Sequence, residues 1–552
     1  MKFNFTLEGK LAVNQIRKIN ELEPIVREEY DYFIGDLTSA NEFEGIDWLL
    51  EITCRNTFAS NLHQRMCKLA LLEDMINEGE SIEEIIVDCP SMKKAVTSLL
   101  NKENTKCKVI TSRKIKFRLL TTLYKILSSL YLMFNQWAWP KVVKRKRAPS
   151  NEIILLENFL FLDSFDENYK FLDRNYPGFF DYYDKKDLRK VWYLSVLNGI
   201  KHPHHWISLF QKINKSEEQI IIKEDYLLIR DYFSAFISSF LVPFKLKTCP
   251  NWRGIDISSL VFDEAKDELG SYSLVSAILY YKFFSRFKDQ GFKPQLLIDW
   301  HENQTIDRAL SLGMKQSFPT VKTKGYQGFV VSEFYSSLTP TLYEEQNGLI
   351  PDEIFVISKP LIQKRLKYSK NLNVSLAPAF RYSSAINYKK QITDSKKIVL
   401  VALPMLHSES KQVLDLVLNA NFDSEVEIVV KRHPTVLENE LIKNVAKARD
   451  KRIRFTNNKL TDLFDKTSLF ITMTSSAAIE SVLCQTFVAI VANNSGASAN
   501  PIENIVDPKY WRLCYTPNCI GLALGEAKKN SVMDTTNYLV PLNNETFGKF
   551  IN

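Results

Sequence analysis

Residues 429–440 read VVKRHPTVLENE, and residues 459–496 read KLTDLFDKTSLFITMTSSAAIESVLCQTFVAIVANNSG. An apolar run, 427–430, ends in Lys431-Arg432-His433-Pro434. A second run, 468–473, ends in Thr474-Ser475-Ser476, and a helical pattern carrying Glu480 follows. A third run, 487–491, comes next. Each polar cluster falls where a strand gives way to a helix. In open α/β sheets ligands bind there, at the carboxyl ends of the strands. The first cluster offers cations. The second offers hydroxyls and the N–H groups of a helix start, which suit a phosphate.

Working outward, the α/β pattern covers most of the chain. Residues 397–403 (KIVLVAL) open the unit that contains both clusters. Upstream, 153–156, 191–194, 220–222, 296–299, 325–331 and 354–357 read as strands, and 226–242 and 271–287 as apolar helices. The irregular stretch 367–389, which includes APAFRYSS, reads as the connection between two domains. Near the start, 62–76 is helical, 85–87 and 108–111 are strands, and 46–52 is a strand or a helix start. These read as the opening of a Rossmann-like domain.

One segment breaks the pattern. Residues 113–147 read RKIKFRLLTTLYKILSSLYLMFNQWAWPKVVKRKR. The core 119–139 has the length to span a bilayer, but Lys125 interrupts it and Arg118 flanks it. Cations at both ends and Trp137 and Trp139 at one boundary suit a helix lying flat in an anionic interface. The alternative is a helix packed on the domain, with KRKR as a solvated loop.

Composition sets the limits. At 552 residues the chain is too long for one core. Hydrophobic residues are 45% and charged residues 25%, as in ordinary folded proteins. A net charge of +8, from 72 basic and 64 acidic residues, gives no reason to expect nucleic acid as a partner. Only 17 glycines argue against a glycine-rich phosphate loop. The eight cysteines contain no C-x-x-C pair, which fits reduced thiols of a cytosolic protein. The start, MKFNFTLEGKL, lacks an apolar core of signal-peptide length. The seven histidines show no metal-ligand spacing, so no metal is expected.

A third polar cluster ends the apolar strand 296–299. It reads Asp299-Trp300-His301-Glu302-Asn303-Gln304, followed by Asp307 and Arg308. Asp299, His301 and Glu302 are candidates for a general base. Strand alternation sends Asp299 and His301 one way and Trp300 and Glu302 the other. The alternative is a capped helix start near Thr305. Gly325-Tyr326-Gln327-Gly328 either shapes an acceptor pocket or makes a glycine turn.

The pair R-H-P, after one strand, and S-S-A-A-I-E, after a later one, resembles the HP and Ser/Ser motifs of bacterial CMP-sugar transferases. These include the sialyltransferases and the Kdo transferases of capsule synthesis. The motifs cover roughly 397–500, a span of about one domain. IDWHENQTIDRALSLGMK, KGYQGFVVS and IPDEIFVISKP resemble surface-carbohydrate biosynthesis proteins more loosely. The acidic D/E-D/E-G triplet of sialyltransferases is absent, so the resemblance assigns no base. Thr472 stands eight positions before Glu480, where many UDP- and GDP-sugar enzymes carry a second glutamate. Met473-Thr474 stands where glycerol- and ribitol-phosphate polymerases usually carry Asp-Tyr.

The resemblance implies an α/β, GT-B-like fold of two Rossmann-like domains facing a central cleft. Residues 1–385 would form the acceptor-side domain, with the insertion near 113–147. Residues 386–552 would bind the nucleotide sugar and end in a cross-over helix. The implied activity is transfer of a nonulosonic acid or Kdo-type sugar from CMP to a lipid-linked or oligosaccharide acceptor of a surface glycan. Lys431, Arg432, His433, Pro434, Thr474, Ser475, Ser476 and Glu480 would hold the CMP donor. His433, with Asp299, His301 and Glu302, would carry the catalysis, without metal or other cofactor. The expected location is cytoplasmic, peripheral to the inner membrane. Two other classes stay open: a phosphotransferase using CDP-glycerol or CDP-ribitol, and a non-catalytic glycan-assembly protein.

Overall fold

The structure is a computed structural model that describes residues 2–112, 118–143, 152–183, 190–388, 398–433, 438–444, 452–529, 533–535 and 537–552. Its strands form three sheets, each parallel throughout. The first sheet is small: β1 (Lys2–Asn4), β2 (Glu84–Val87) and β3 (Lys108–Thr111), in that order. The sequence places these strands in the first Rossmann-like domain, but they pair only with one another. The pattern reading missed the helix Val13–Ala40. It buries Ile16, Ile19, Val26, Tyr30, Ile34 and Leu37 at helical spacing, in a core that also takes in Ile85 and Val87 of this sheet and runs on to Leu155, Leu194 and Leu297 of the second. The 46–52 region forms two short 3-10 turns, Gly45–Leu49 and Glu51–Cys54.

The second sheet is built from β4 (Glu152–Leu160), β5 (Val191–Leu197), β6 (Ile220–Ile221), β7 (Lys293–Trp300), β8 (Lys322–Gln327), β9 (Glu353–Val356) and β10 (Val374–Leu376). Its spatial order is β6-β5-β4-β7-β8-β9-β10. The third is built from β11 (Ile398–Ala402), β12 (Glu427–Lys431), β13 (Ile453–Thr456), β14 (Thr467–Thr472), β15 (Phe487–Val491) and β16 (Trp511–Cys514), in the order β13-β12-β11-β14-β15-β16. In both sheets the chain starts in the middle, builds outward, then crosses back and builds the other way. That reversal is the Rossmann order, and it opens a crevice at the carboxyl ends of the two middle strands. The crevices lie between β4 and β7 and between β11 and β14. All five residues of β11 and of β15 are buried, as expected for strands covered on both faces.

The two larger units touch, and the chain crosses between them more than once. The last helix, Asn544–Ile551, packs on the second sheet, with the Phe550 ring against Tyr326, Phe355 and Phe380. The Lys324 ammonium, partly buried in this contact, donates to the Phe550 carbonyl at 2.9 Å. At the other end, the Asn20 amide and Ser498 join the N-terminal helix to the third unit. The stretch 367–389 is more than a connection. It supplies the edge strand β10 and the short helix Ser383–Ile386, which packs on the helix Ala477–Leu483.

Candidate active site

The crevice between β4 and β7 carries the 299–304 cluster. β7 ends at Trp300, and His301 extends the ladder by donating its N–H to the Tyr326 carbonyl at 2.9 Å. Alternation holds through this end. His301 Nδ1 lies 3.1 Å from Asp299 Oδ2 on one face. On the other, Trp300 Nε1–H donates to Glu302 Oε1 at 3.1 Å. The chain then turns at Asn303, in the left-handed region with φ 53°, and enters the helix Thr305–Ser317. Asp307 caps that helix by accepting the N–H groups of Gln304 and Glu302.

Burial controls the protonation of this cluster. It pushes the Asp299 carboxyl up to about 8 and the His301 imidazole down to about 4. At neutral pH both are therefore mostly uncharged. Glu157, one residue beyond the 153–156 run read as a strand, lies in the same crevice and accepts the Trp300 N–H at 3.0 Å. Burial, with Asp299 and Asp307 nearby, lifts it well above the carboxylate range. Glu302 is raised too, by burial, but the Tyr335 hydroxyl, Trp300 Nε1–H, the Arg381 guanidinium and Gln304 Nε2 all oppose the rise. Of Asp299, Glu302 and Asp307 it is the one residue that is only partly buried.

Arg308 belongs to a brace. Its guanidinium is fully buried and bonds to Asn303, Thr53 and Glu344. Arg55 reaches the same Glu344 at 2.7 Å and Asp31 at 2.8 Å. Burial works against the Glu344 anion, but Arg55 and Arg308 outweigh it and hold the carboxyl below its usual range. The brace ties the turn after β7 to the N-terminal unit. The glycines of the 325–328 stretch serve packing. A Cβ on Gly328 would lie 2.1 Å from the Tyr326 ring and 2.6 Å from Trp300, and one on Gly325 would lie 2.9 Å from the His301 ring.

The crevice between β11 and β14 carries the second cluster. Thr474, Ser475 and Ser476 follow β14, each partly open to solvent. The helix after them, Ala477–Leu483, is only seven residues long, and Ser475 Oγ already accepts the Ala477 N–H at 3.2 Å. The hydroxyls, more than a helix dipole, are therefore what this end offers an anion. Beside it lies the loop after β11, with Met405 and Leu406 exposed, which no motif singled out. β12 lies one strand further out, roughly 5 Å beyond β11. Lys431 Nζ leans to the outer side, onto the Asn458 carbonyl at 2.6 Å in the loop after β13. Arg432 Nε sits 3.6 Å from Glu438. His433 is partly buried, which lowers its pKa and favours the neutral imidazole. Pro434 lies outside the described residues.

The cation where the two clusters meet is Arg381, from the stretch read as a connection. Its guanidinium acts on Glu302 beside the second sheet and on Glu480 beside the third. Glu480 is raised by burial, and Arg381 opposes the rise. Next to it, the Tyr382 hydroxyl accepts the Val330 N–H at 3.2 Å and a hydrogen bond from Ser476. Arg381 is an exposed residue, whereas Tyr382 is fully buried. The available signal was an Arg-Tyr pair inside an otherwise small and apolar stretch.

No protein-family model matches the chain, and no curated protein matches it. Several solved structures are distantly similar to it. MnaA of S. aureus, solved with UDP, is 12% identical, with a TM-score of 0.40 over 73% of this chain and 95% of that one. The calicheamicin glycosyltransferase CalG4 is 10% identical, with a TM-score of 0.37 over 72% and 95%. HepE of Anabaena, in complex with UDP and glucose, has the same four values, 10%, 0.37, 72% and 95%. Likenesses this distant supply no residue-level correspondence.

Proposed function

We propose that this protein is a GT-B-type glycosyltransferase that moves an ulosonic sugar from a CMP-activated donor to a glycan acceptor. The observation that carries the reading is the convergence on Arg381 of two strand-end clusters, each at the reversal point of its own sheet. The clusters are chemically unequal in the way a transfer reaction needs. The β14 side supplies hydroxyl donors, the neutral His433 imidazole and the Arg381 cation for a leaving phosphate. The β7 side supplies Glu302, whose carboxylate is held by three side-chain donors, as the base for the acceptor hydroxyl.

An ulosonic donor reacts at a tertiary carbon through an oxocarbenium-like transition state. The barrier then depends mostly on stabilising the departing CMP phosphate, which preorganised donors do well. In this reading those donors take the part that a metal plays elsewhere. The acceptor is lipid-linked or an oligosaccharide, and the enzyme works at an anionic membrane surface.

The test is a thermal-shift series with CMP, CDP, UMP, UDP and GDP. A ligand at a hundredfold excess over its Kd stabilises the native state by about 2.7 kcal/mol. CMP should give the largest shift, and Ser475→Ala/Ser476→Ala should abolish it while lowering the unliganded melting point only by what the lost cap costs, about 0.5–2 kcal/mol. An equal or larger shift with UDP ends the CMP assignment.

A further inference from the structure

Two helices of the unit built on the second sheet are inside out. The helix Arg118–Val142 buries Ser129, Asn135 and Gln136, each at most 2% exposed. Their polar groups are used inside: Gln136 bonds to the Tyr272 hydroxyl, and Asn135 Oδ1 accepts the Trp139 indole N–H at 2.8 Å. The outward stripe is Leu120, Leu123, Tyr124, Leu127, Tyr131 and Phe134, from 46% to 73% exposed. The helix Ile229–Leu241 repeats the inversion. Ile229, Phe233, Ile237 and Leu241 are spaced four apart and stand 45% to 62% exposed, with Phe244 continuing the row at 63%. Among the described residues, these two segments hold more than half of the exposed large hydrophobic side chains. Soluble monomers rarely show an apolar patch of that size without a partner.

The stripes belong to one surface. Ile126 of the first helix and Phe240 of the second meet over Gly270, where an added Cβ would lie 3.0 and 2.6 Å from them. Gly270 donates its N–H to the Ser239 carbonyl, and Lys125 Nζ reaches the Asp267 carbonyl at 3.2 Å in the same turn. Both helices pack on the helix Tyr272–Asp289 beneath.

We propose that this two-helix face rests on an anionic lipid surface. The proposal deepens the membrane-peripheral part of the reading above and does not depend on the donor. Charge decides the occupant. The exposed charges on the two segments are Lys125, Lys141, Arg230, Lys245 and Lys247, and the single acid between 228 and 248, Asp231, is buried at 3%. The segment 113–147 contains no acidic residue. A second copy of the chain would set like charges against each other. An anionic bilayer satisfies the rim and the apolar stripes together. Among the described residues no helix is long and apolar enough to cross a membrane, so the face lies in the interface. At about 1.5 Å per residue the longer helix covers roughly 37 Å of it.

Vesicle flotation tests this, with phosphatidylglycerol mixed into phosphatidylcholine against phosphatidylcholine alone. Wild type should float with the anionic vesicles and release as salt shortens the Debye length. Phe233→Asp/Ile237→Asp alters two exposed positions and should keep the melting point. It should lower partitioning about tenfold or more, because the charges forfeit the buried apolar area. Lys245→Gln/Lys247→Gln should lower it about fivefold per charge. The proposal falls if the double Asp variant floats like wild type, or if neutral vesicles bind equally well. It also falls if wild type ignores vesicles and instead sediments as a dimer that the Asp variant breaks. None of these outcomes touches the CMP thermal shift, so the two readings fail separately.

Discussion

At the end of β7 the side chains are dry: His301 and Asp299 are 0% and 1% exposed. At the end of β14, Thr474, Ser475 and Ser476 are all partly wet. Both ends occupy the same place in their sheets, beside the reversal of strand order. Topology therefore gives two crevices, and side-chain chemistry makes them different. The first is packed with carboxyl groups that burial drives toward neutrality, and the brace through Arg308 and Arg55 fixes it from behind. The second keeps three short hydroxyl side chains ahead of a short helix, each still partly open to solvent. A braced, mostly dry crevice on one side and an open, hydroxyl-lined one on the other would suit the proposed transfer, in which a nucleotide must enter and leave.

The comparison can be broken at Glu302. Glu302→Gln keeps the size and one acceptor oxygen but removes the base. Transfer should fall by about 10²–10⁴-fold. The CMP thermal shift should stay, because the proposed donor site is the other crevice. If transfer persists within a few-fold, the β7 end is scaffolding and the base lies elsewhere.

The brace gives the next largest effect. Arg308→Ala leaves Glu344 and Asn303 buried without one of their partners. Breaking a buried ion pair costs about 3–5 kcal/mol of stability. Chemical denaturation should show that loss, and Ser475→Ala/Ser476→Ala under the same conditions should lose far less. Equal losses would erase the distinction between a braced end and an open one.

The smallest effect is a change of slope with pH. The Asp299 carboxyl, at about 8 in the fold against an ordinary 3.8, binds its proton more tightly when folded. Its contribution to stability is complete below about pH 4 and is lost as pH rises toward 8. His301 has the opposite sign: lowered to about 4 from 6.5, it adds stability as pH rises across that interval. Asp299→Asn removes only the first effect. Melting temperature should then decline less between pH 6 and 8 than in wild type. An unchanged slope would show that Glu157 or Asp307 holds the titrating proton.

Strand positions were readable from the chain alone. Parallel strands covered on both faces are apolar runs, and β7, β11, β14 and β15 appear as such. The polar residues that stop those runs mark the carboxyl ends, which is why 299–302 and 474–476 could be picked out. Strand order, and with it which ends face a crevice, required the folded chain, because pairing is set by contacts far apart in sequence. Arg381 escaped for that reason: it acquires meaning only between Glu302 and Glu480, which lie on different units. The helices at 118–142 and 229–241 mark a second limit. Periodicity shows that a helix has an apolar side, but it carries no sign for inside or outside. Only packing against the rest of the protein decided that Ser129, Asn135 and Gln136 turn inward while Leu127, Phe134 and Phe233 face out.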